Sequence, residues 1–281
     1  MKLAAHRYGK SRVRVLKVRR DGEMHTIKEL AVDVAFSGDF ERSYIEGDNR
    51  QVVPTDTIKN TVHVLAKEQL GPATEPFAVA LAQHFIARYP QVHQAEVEAR
   101  ERVWERLTFR GAAHAHSFTT SPLGGRPFAR VIATAGTHRL ESGFEDLLIL
   151  KSTQSGFEGF PQCEFTTLPE TSDRIFATAL TATWTWNCEP ADYHLANAMI
   201  RDALLEPFAL HYSPSVQATL FQMGEAALKA CPEISQIHLA APNQHCLRAD
   251  LSPFGIENAN DLFVPTDEPH GQIEAIIARD E

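Results

Sequence analysis

The sequence predicts an α+β protein made of two similar halves, each an antiparallel sheet that carries two helices on one face. Three observations favour this class: strand-type alternation near both ends of each half, two helix-type apolar repeats between them, and the same order of these patterns in both halves. A chain of 281 residues is long enough for two domains. We place them at residues 1–138 and 139–281.

The composition is that of a folded, acidic protein. Apolar residues make up 43% and charged residues 22% of the chain, which allows a substantial core and argues against disorder. The net charge of −9 argues against a nucleic-acid partner held by a basic surface. No apolar run approaches the roughly 20 residues that span a bilayer, and the amino terminus lacks a signal-peptide core. We therefore expect a cytoplasmic protein with no membrane partner.

The first half begins with a predicted hairpin over residues 12–36. Apolar residues alternate on both sides of Asp21-Gly22, a dipeptide typical of a two-residue type I′ turn. A helix follows, with Thr55 or Asp56 placed to cap its first turn and Gly71-Pro72 to end it. Its predicted buried stripe is Ile58, Val62, Leu65 and Ala66.

The next helix of this half begins at Thr74-Glu75-Pro76 and ends at Pro90. Its predicted buried residues are Phe77, Leu81 and Phe85. Residues 92–107 fit a strand and a helix almost equally well. We assign them to a strand because the second half of the chain has one at the matching place.

The second half repeats this order. Its predicted strands are Phe128–Leu140, Asp146–Leu150, Leu180–Trp186 and a last pair running from Ile237 to Leu251. The first of its two helices carries Leu195 and Met199 and precedes Pro207. The second is capped by Ser213 or Ser215, carries Leu220, Met223 and Ala227, and stops at Pro232.

Open sheets of this kind leave unpaired edge strands and an uncovered face. Oligomerisation is the simplest way to bury those edges. We therefore predict a closed, symmetric homo-oligomer.

Two groups in the first half could carry chemistry. Thr55 and Asp56 lie at a predicted helix amino terminus, where free backbone N–H groups favour an anion or a polar ligand; the alternative is an ordinary helix cap. Lys10 precedes the first strand. It is either a surface charge or, if buried in a site, a proton acceptor.

The second half offers a polar loop between Leu150 and Arg174 that contains Phe157. The phenylalanine could stack on a flat ligand and Arg174 could fork onto a planar anionic edge; alternatively, Arg174 pairs with Asp173 or Glu170 and the aromatic rings only anchor the loop. Gln217 could match the N–H and C=O edge of a purine-like ring, or could be plain helix surface.

One asparagine, three histidines and the four cysteines are the remaining candidates for site residues. Asn243 and His245 lie two apart, so a strand would place both on one face. His114 and His116 have the same spacing and could bind a metal, but no third ligand lies at a typical distance. The cysteines, Cys163, Cys188, Cys231 and Cys246, form no CxxC pair and are predicted to be free thiols. No nucleotide-binding or nucleophile-elbow motif occurs.

Seven segments together resemble the urate oxidase (uricase) family from end to end. They are YGKSRVRVLKV (8–18), TDTIKNTV (55–62), LKSTQSGFEGF (150–160), FTTLPETSDRI (165–175), TATWTW (181–186), SPSVQATL (213–220) and APNQH (241–245). The resemblance implies two tandem tunnelling-fold domains per chain. It also implies a tunnel-shaped homotetramer with active sites at subunit interfaces.

The resemblance further implies oxidation of urate by O₂ and water to 5-hydroxyisourate and hydrogen peroxide, a step of purine breakdown that uses no metal and no organic cofactor. Its site residues map onto Lys10, Thr55 and His245 as a proton relay, and onto Asp56, Phe157, Arg174, Val216, Gln217 and Asn243 as substrate-binding groups. Arg174 and Gln217 would clamp urate, Phe157 would stack on it, the Val216 amide would complete recognition of the clamped edge, and Asn243 would face the O₂ or water pocket.

Two other functions remain open at this point: a metal-dependent pterin hydrolase that uses His114 and His116, and a purine-binding protein without turnover. The sequence departs from the family at Cys246, where an aromatic residue is expected, and at Pro54. The chain also lacks the carboxyl-terminal peroxisomal tripeptide of eukaryotic members, which favours a bacterial, cytoplasmic enzyme.

Overall fold

The computed structural model describes residues 1–120 and 124–280. They form two compact units: unit 1 contains Met1–Phe144 and Glu189–His194, and unit 2 contains Glu145–Cys188 and the chain from Leu195 onward. Each unit combines antiparallel strands with two long helices. The predicted α+β class is confirmed.

Unit 1 is a sheet with helices on one face and a small separate hairpin. Its elements are β1 (Tyr8–Arg19), β2 (Thr26–Gly38), α1 (Glu41–Ile45), α2 (Thr55–Gln69), α3 (Glu75–Arg88), β3 (Val92–Arg102), β4 (Trp104–Phe109), β5 (Ala112–Thr120) and β6 (Arg126–Thr134). The antiparallel order is β1-β2-β3-β6, and β4 pairs with β5. The next strand, β7 (Thr137–Lys151), contains the boundary between the units.

The core of unit 1 lies between this sheet and helices α2 and α3. The buried residues of α2 are the predicted ones, Ile58, Val62, Leu65 and Ala66. The residues of α3 that were predicted to be buried, Phe77, Leu81 and Phe85, are fully buried. The inward-facing strand residues alternate as expected, and those of β2 and β3 include Leu30, Val32, Val34, Phe36, Ala95, Val97 and Ala99. The strand assignment of the ambiguous segment from residue 92 is also confirmed.

The hairpin formed by β1 and β2 is confirmed, but its turn is not. Pairing ends with Arg19 opposite Thr26, so residues 20–25 form the connection, and the predicted two-residue type I′ turn is wrong. The backbone N–H of His25 instead donates to the carbonyl of Ala115 at 3.0 Å. A hydrogen bond to β5 thus satisfies a backbone N–H group in the connection, and no tight turn is needed to pair it.

Unit 2 follows the same plan. Its elements are β8 (Phe176–Trp186), α4 (Tyr193–Leu210), α5 (Val216–Ala230), β9 (Ile234–Arg248), a 3₁₀ turn (Ser252–Phe254) and β10 (Phe263–Ala278). Strand β9 pairs antiparallel with both β8 and β10. Leu180, Ala182, Trp184 and Trp186 of β8 face the core as predicted.

The buried face of α4 differs from the prediction. Leu195 and Met199 are 66% and 42% exposed, and the buried stripe consists of Ala196, Ile200, Leu204 and Phe208. The helix also continues through Pro207. Proline near the end of a helix removes few backbone bonds, so it does not stop the helix here.

Two predicted strand boundaries are also wrong. The segment Phe128–Leu140 is split by a turn at 135–136, where Gly136 takes a φ of 79°, and β7 begins at Thr137. The last strand pair does not end at Leu251, because the partner of β9 begins only at Phe263. The Asn258 side chain organises the intervening loop: it donates to the carbonyls of Ala249 and Leu262 at 2.9 and 2.7 Å.

In the described residues, no helix is long and apolar enough to cross a membrane.

Candidate active site

The predicted site residues fall into two groups that belong to different units. Lys10, Thr55 and Asp56 lie in unit 1. The larger group lies in unit 2 and contains Phe157, Arg174, Val216, Gln217, Asn243 and His245.

Lys10 is held at an irregular point of β1. A Cβ added at Gly9 would lie 1.8 Å from the carbonyl oxygen of Val34, so only glycine allows the two strands to approach this closely. The register then shifts between Lys10 and Val13, and Arg12 adopts a φ of 56°. Bulges of this type redirect neighbouring side chains. The half-buried Lys10 side chain therefore leaves β1 at a point where regular alternation is broken.

Thr55 and Asp56 form the first turn of α2, but neither caps the helix. The N-cap position is occupied by Pro54, which has no side-chain hydrogen-bond acceptor, so the predicted cap is wrong. The first intrahelical bond runs from the Ile58 N–H to the Pro54 carbonyl at 3.1 Å. The N–H groups that precede Ile58 have no acceptor within the helix and are available to a ligand.

The start of α2 is tied to the start of β1. The hydroxyl of Tyr8 accepts a hydrogen bond from the Val53 N–H at 2.9 Å. Because Tyr8 and Lys10 are close in sequence, this contact places Lys10 and Thr55 in one region of unit 1. The electrostatics agree: the Lys59 hydrogen bond chiefly lowers the pKa of Asp56, and the positive charge of Lys10 lowers it further.

Asp56 is accordingly an ionised carboxylate held by its own helix. Lys59 donates to one carboxylate oxygen at 2.5 Å and Asn60 to the other at 3.0 Å. The Lys59 and Asn60 side chains are thus both hydrogen-bonded to the Asp56 carboxylate. This arrangement leaves the backbone amide of Asp56, rather than its carboxylate, as the group that suits an anionic ligand.

In unit 2, the loop between β7 and β8 is fixed by backbone bonds. Phe157 and Thr171 exchange N–H to carbonyl bonds of 2.7 and 3.1 Å, and the Gly156 N–H donates to the Ser213 carbonyl at 2.8 Å. A Cβ at Gly156 would lie 2.2 Å from the Tyr212 hydroxyl oxygen. The loop therefore packs against the entry to α5, and a larger residue than glycine would break that contact.

Arg174 is half-buried and lacks an ionic partner in the described part of the chain. Glu170 accepts from the Gly159 N–H at 2.9 Å and Asp173 from the Thr153 hydroxyl at 2.7 Å, so the two expected partners are engaged elsewhere. The Nε atom of Arg174 is buried without a hydrogen-bond partner. Burial lowers the pKa of this guanidinium, opposed by the nearby Tyr212. A half-buried guanidinium with an unsatisfied nitrogen is suited to a planar anion.

Phe157 presents its ring beside this cation. The Arg174 guanidinium carbon lies 5.4 Å from the ring centroid. Phe160 stacks on Phe157 at 4.8 Å with an interplanar angle of 12°. The ring is thus held in a defined orientation next to the positive charge.

Val216 and Gln217 begin helix α5. The Ser215 hydroxyl caps the helix by accepting from the Ala218 N–H at 3.1 Å, which confirms one of the two predicted caps. Val216 is buried, whereas Gln217 is exposed. The Val216 amide at the first helical position has no intrahelical acceptor, so it can serve a ligand together with the Gln217 carboxamide.

Replacing Ser215 with Ala is expected to destabilise the protein by about 1 kcal/mol, because the orphan N–H of Ala218 loses its acceptor. Urea denaturation followed by circular dichroism measures this. Ser252→Ala, in a short exposed turn, is the matched control. Equal stability of the two variants would contradict the capping role.

Asn243 and His245 lie on the same face of β9, as predicted. Across from them, β10 is irregular: Asn243 pairs with Gly271 and His245 with Thr266, with a register shift between. The Thr266 hydroxyl donates to the His245 carbonyl at 3.1 Å. The extra residues of β10 therefore break the regular sheet beside the two predicted site residues.

The sequence reasoning missed two buried hydroxyls of this region. Ser155 and Thr178 are 0% and 1% exposed, and both hydroxyl oxygens lack hydrogen-bond partners in residues 1–120 and 124–280. Ser155 is bonded through its carbonyl to the Arg174 N–H at 2.8 Å. Thr178 could have been found from its inward-facing position in the alternation of β8. Unsatisfied buried polar atoms are rare, and here they accompany the unsatisfied Arg174.

The two histidines weighed as metal ligands lie on β5. The rings of His114 and His116 are 4.6 Å apart. Among the residues that the structure describes, no group of three or more His, Cys, Asp or Glu side chains is arranged to hold a metal ion.

Comparison with known proteins shows the family to which the chain belongs. The uricase family model matches residues 6–129 and 140–274. A uricase from Oryctolagus cuniculus is 39% identical over 278 residues, covering 97% of this chain and 93% of the relative. A uricase from Dictyostelium discoideum is 41% identical over 283 residues, covering 99% and 97%.

A solved structure of a uricase is similar to this chain as well. The crystal structure of uricase from Arthrobacter globiformis matches with a TM-score of 0.94 at 38% identity, over 100% of this chain and 96% of that one. Sequence and fold therefore agree over nearly the whole length. The chain belongs to the uricase family, the urate oxidases.

Proposed function

We propose that the enzyme oxidises urate with O₂ and water to 5-hydroxyisourate and hydrogen peroxide, as a step of purine breakdown and without a metal or organic cofactor. Two electrons pass from urate to O₂, and the oxygen of water ends on the purine carbon C5. The observation that carries the proposal is the half-buried Arg174 guanidinium, which has no ionic partner in the described residues and whose Nε atom is buried without a hydrogen bond. Such a cation requires an anion, and urate is a planar one.

Substrate binding follows from the groups around Arg174. Its guanidinium and the Gln217 carboxamide clamp one edge of urate, and the Val216 amide adds a donor to that edge. The Phe157 ring stacks on the purine. Thr55 and the backbone amide of Asp56, at the start of α2, bind the opposite side of the ring system. Asn243 faces the pocket for O₂ or water.

Proton transfer is assigned to Lys10, Thr55 and His245. Lys10 and Thr55 share one region of unit 1, and in the proposed relay a proton passes between their side chains. His245 supplies an imidazole from unit 2, a side chain that can both accept and donate a proton. The three groups remove a proton from bound urate and later activate water for attack. The resulting urate dianion reduces O₂ directly, so the protein stabilises charge and moves protons.

Assembly completes the site in this proposal. Two tandem domains, residues 1–138 and 139–281, form one subunit, and four subunits form a tunnel-shaped homotetramer. Lys10, Thr55 and Asp56 of one subunit meet the remaining site residues of its neighbour. The sheet edges support this assignment: β1 and β10 stand at the ends of the strand order, with Leu16 60% and Ile276 65% exposed.

A turnover assay on metal-free protein tests the proposal. Loss of urate absorbance, O₂ consumption and peroxide release are followed together after treatment with a chelator, and metal content is measured separately. We expect one peroxide per urate and unchanged activity after chelation. Urate binding without turnover would contradict the oxidase assignment, and activity that requires added iron or copper would contradict the cofactor-free mechanism.

A further inference from the structure

Strand β1 contains a bulge directly after Lys10. Ser11 and Arg12 lie together opposite a single residue of β2, Asp33. Two residues against one is the count that defines a β-bulge. Arg12 adopts a φ of 56°, in the left-handed region, which is uncommon for a residue with a side chain. A backbone conformation of this kind persists where neighbouring groups hold it in place.

The bulge decides which face of the sheet Lys10 occupies. Directly opposed residues of antiparallel strands point to the same face. Lys10 pairs with Val34, which is 2% exposed and belongs to the core between the sheet and helices α2 and α3. If the register that begins at Val13 continued without the bulge, Lys10 would lie opposite Ala35 and point to the other face. The bulge therefore places Lys10 on the face where α2 begins with Thr55.

Asp33 holds the bulge from the neighbouring strand. Its Oδ1 atom accepts a hydrogen bond from the backbone N–H of Arg12 at 2.9 Å. A bulge interrupts the ladder of backbone bonds, and here a carboxylate supplies the acceptor. The other carboxylate oxygen, Oδ2, accepts from Nη1 of Arg100 on β3 at 3.3 Å. The Asp33 side chain is thus bonded to the strands on both sides of β2.

We propose that Asp33 is a positioning residue: its carboxylate fixes the bulge and so keeps the Lys10 side chain on the face that carries Thr55. The residue before Lys10 is fixed as well, since Gly9 packs directly against the β2 backbone. Asp33 itself lies on the opposite face of β2 from Val34, so it acts through Lys10 and not on the substrate. The inference rests on the proposed function, which assigns Lys10 to proton transfer.

Asp33→Ala removes the acceptor of the Arg12 N–H and tests the inference. A misplaced catalytic lysine should lower kcat for urate by about tenfold. The KM for urate should stay within about twofold, since Arg174 and Gln217 are untouched. Asp33→Asn keeps an oxygen that can accept the same hydrogen bond, so it should retain most of the turnover. Wild-type kcat in Asp33→Ala would overturn the inference.

A second substitution in the bulge should rescue the first. Glycine adopts a positive φ without the cost that a side chain imposes, so Arg12→Gly should keep the bulge without help from Asp33. Added to Asp33→Ala, it should restore kcat to about half or more of the wild-type value. By itself, Arg12→Gly should leave kcat unchanged. Failure of the double variant to recover would count against the bulge as the means by which Asp33 acts.

Arg100→Gln is the control for the ion pair of Asp33. It removes the charged partner on β3 and leaves the hydrogen bond between Asp33 and the Arg12 N–H in place. Its kcat should equal that of the wild type. A loss as large as that of Asp33→Ala would show that ion pairing on this face supports turnover, and the positioning role would be abandoned.

A double-mutant cycle with Lys10→Met tests whether Asp33 acts through Lys10. If it does, adding Asp33→Ala to Lys10→Met causes no further loss, because the group being positioned is gone. Additive losses would overturn the inference while leaving the proposed function intact. Wild-type turnover of Lys10→Met would instead remove Lys10 from the proposed relay, and the inference with it.

Discussion

Lys10→Met is expected to lower kcat for urate by roughly 100-fold or more, the usual consequence of losing an acid–base group. Methionine keeps the length and apolar stem of lysine but can neither accept nor deliver a proton. Thr55→Ala should have an effect of the same order, since it removes the hydroxyl next in the relay. Steady-state oxidation of urate, followed by absorbance and O₂ consumption, measures both.

Lys17→Met is the matched control for Lys10→Met, because both lysines belong to β1. The ammonium of Lys17 donates to the carbonyls of Ala66, Lys67 and Leu70 at 2.9, 2.9 and 2.8 Å, at the carboxyl end of α2. Its loss should lower the melting temperature and leave turnover unchanged. Wild-type turnover in Lys10→Met would remove Lys10 from the relay.

Arg174→Ala is expected to raise the KM for urate by roughly 10- to 100-fold, the range for losing hydrogen bonds to a charged group. The guanidinium is already partly desolvated, so less dehydration is needed when it binds the anion. Arg174→Lys should recover only part of the affinity, because lysine lacks the planar fork. Direct binding of a non-reactive urate analogue, measured by calorimetry, separates affinity from turnover.

Arg248→Ala is the control for this prediction, since Arg248 is an exposed arginine of the same unit at the end of β9. Its replacement should leave the KM for urate unchanged. An unaltered KM in Arg174→Ala, or an equal rise in both variants, would show that Arg174 does not clamp urate.

Periodicity predicted the buried faces of most elements correctly, because those faces depend on residues close in sequence. The stripe of α2 and the alternation of β2 are of this kind. The same reasoning failed on α4, where Leu195 and Met199 are exposed. Helix α4 has apolar residues on more than one side, so the sequence alone did not show which apolar stripe faces the core.

The Asp21-Gly22 turn failed for a different reason. The dipeptide favours a tight turn, but the neighbouring His25 bonds to β5, which lies far along the chain. The predicted helix cap at Thr55 or Asp56 also failed, because the preceding Pro54 takes the N-cap position. Local preferences of one or two residues are small compared with a tertiary contact that satisfies buried backbone.

The sequence by itself determined the α+β class, the repeated order of elements and, through seven matching segments, the residues proposed for the site. Only the tertiary structure decided that the Nε atom of Arg174 is buried with the expected partners Glu170 and Asp173 engaged elsewhere, and that Thr178 pairs with Asn243 across β8 and β9. The physical reason is that secondary structure follows local side-chain periodicity. Desolvation and hydrogen-bond satisfaction depend instead on which distant segments meet.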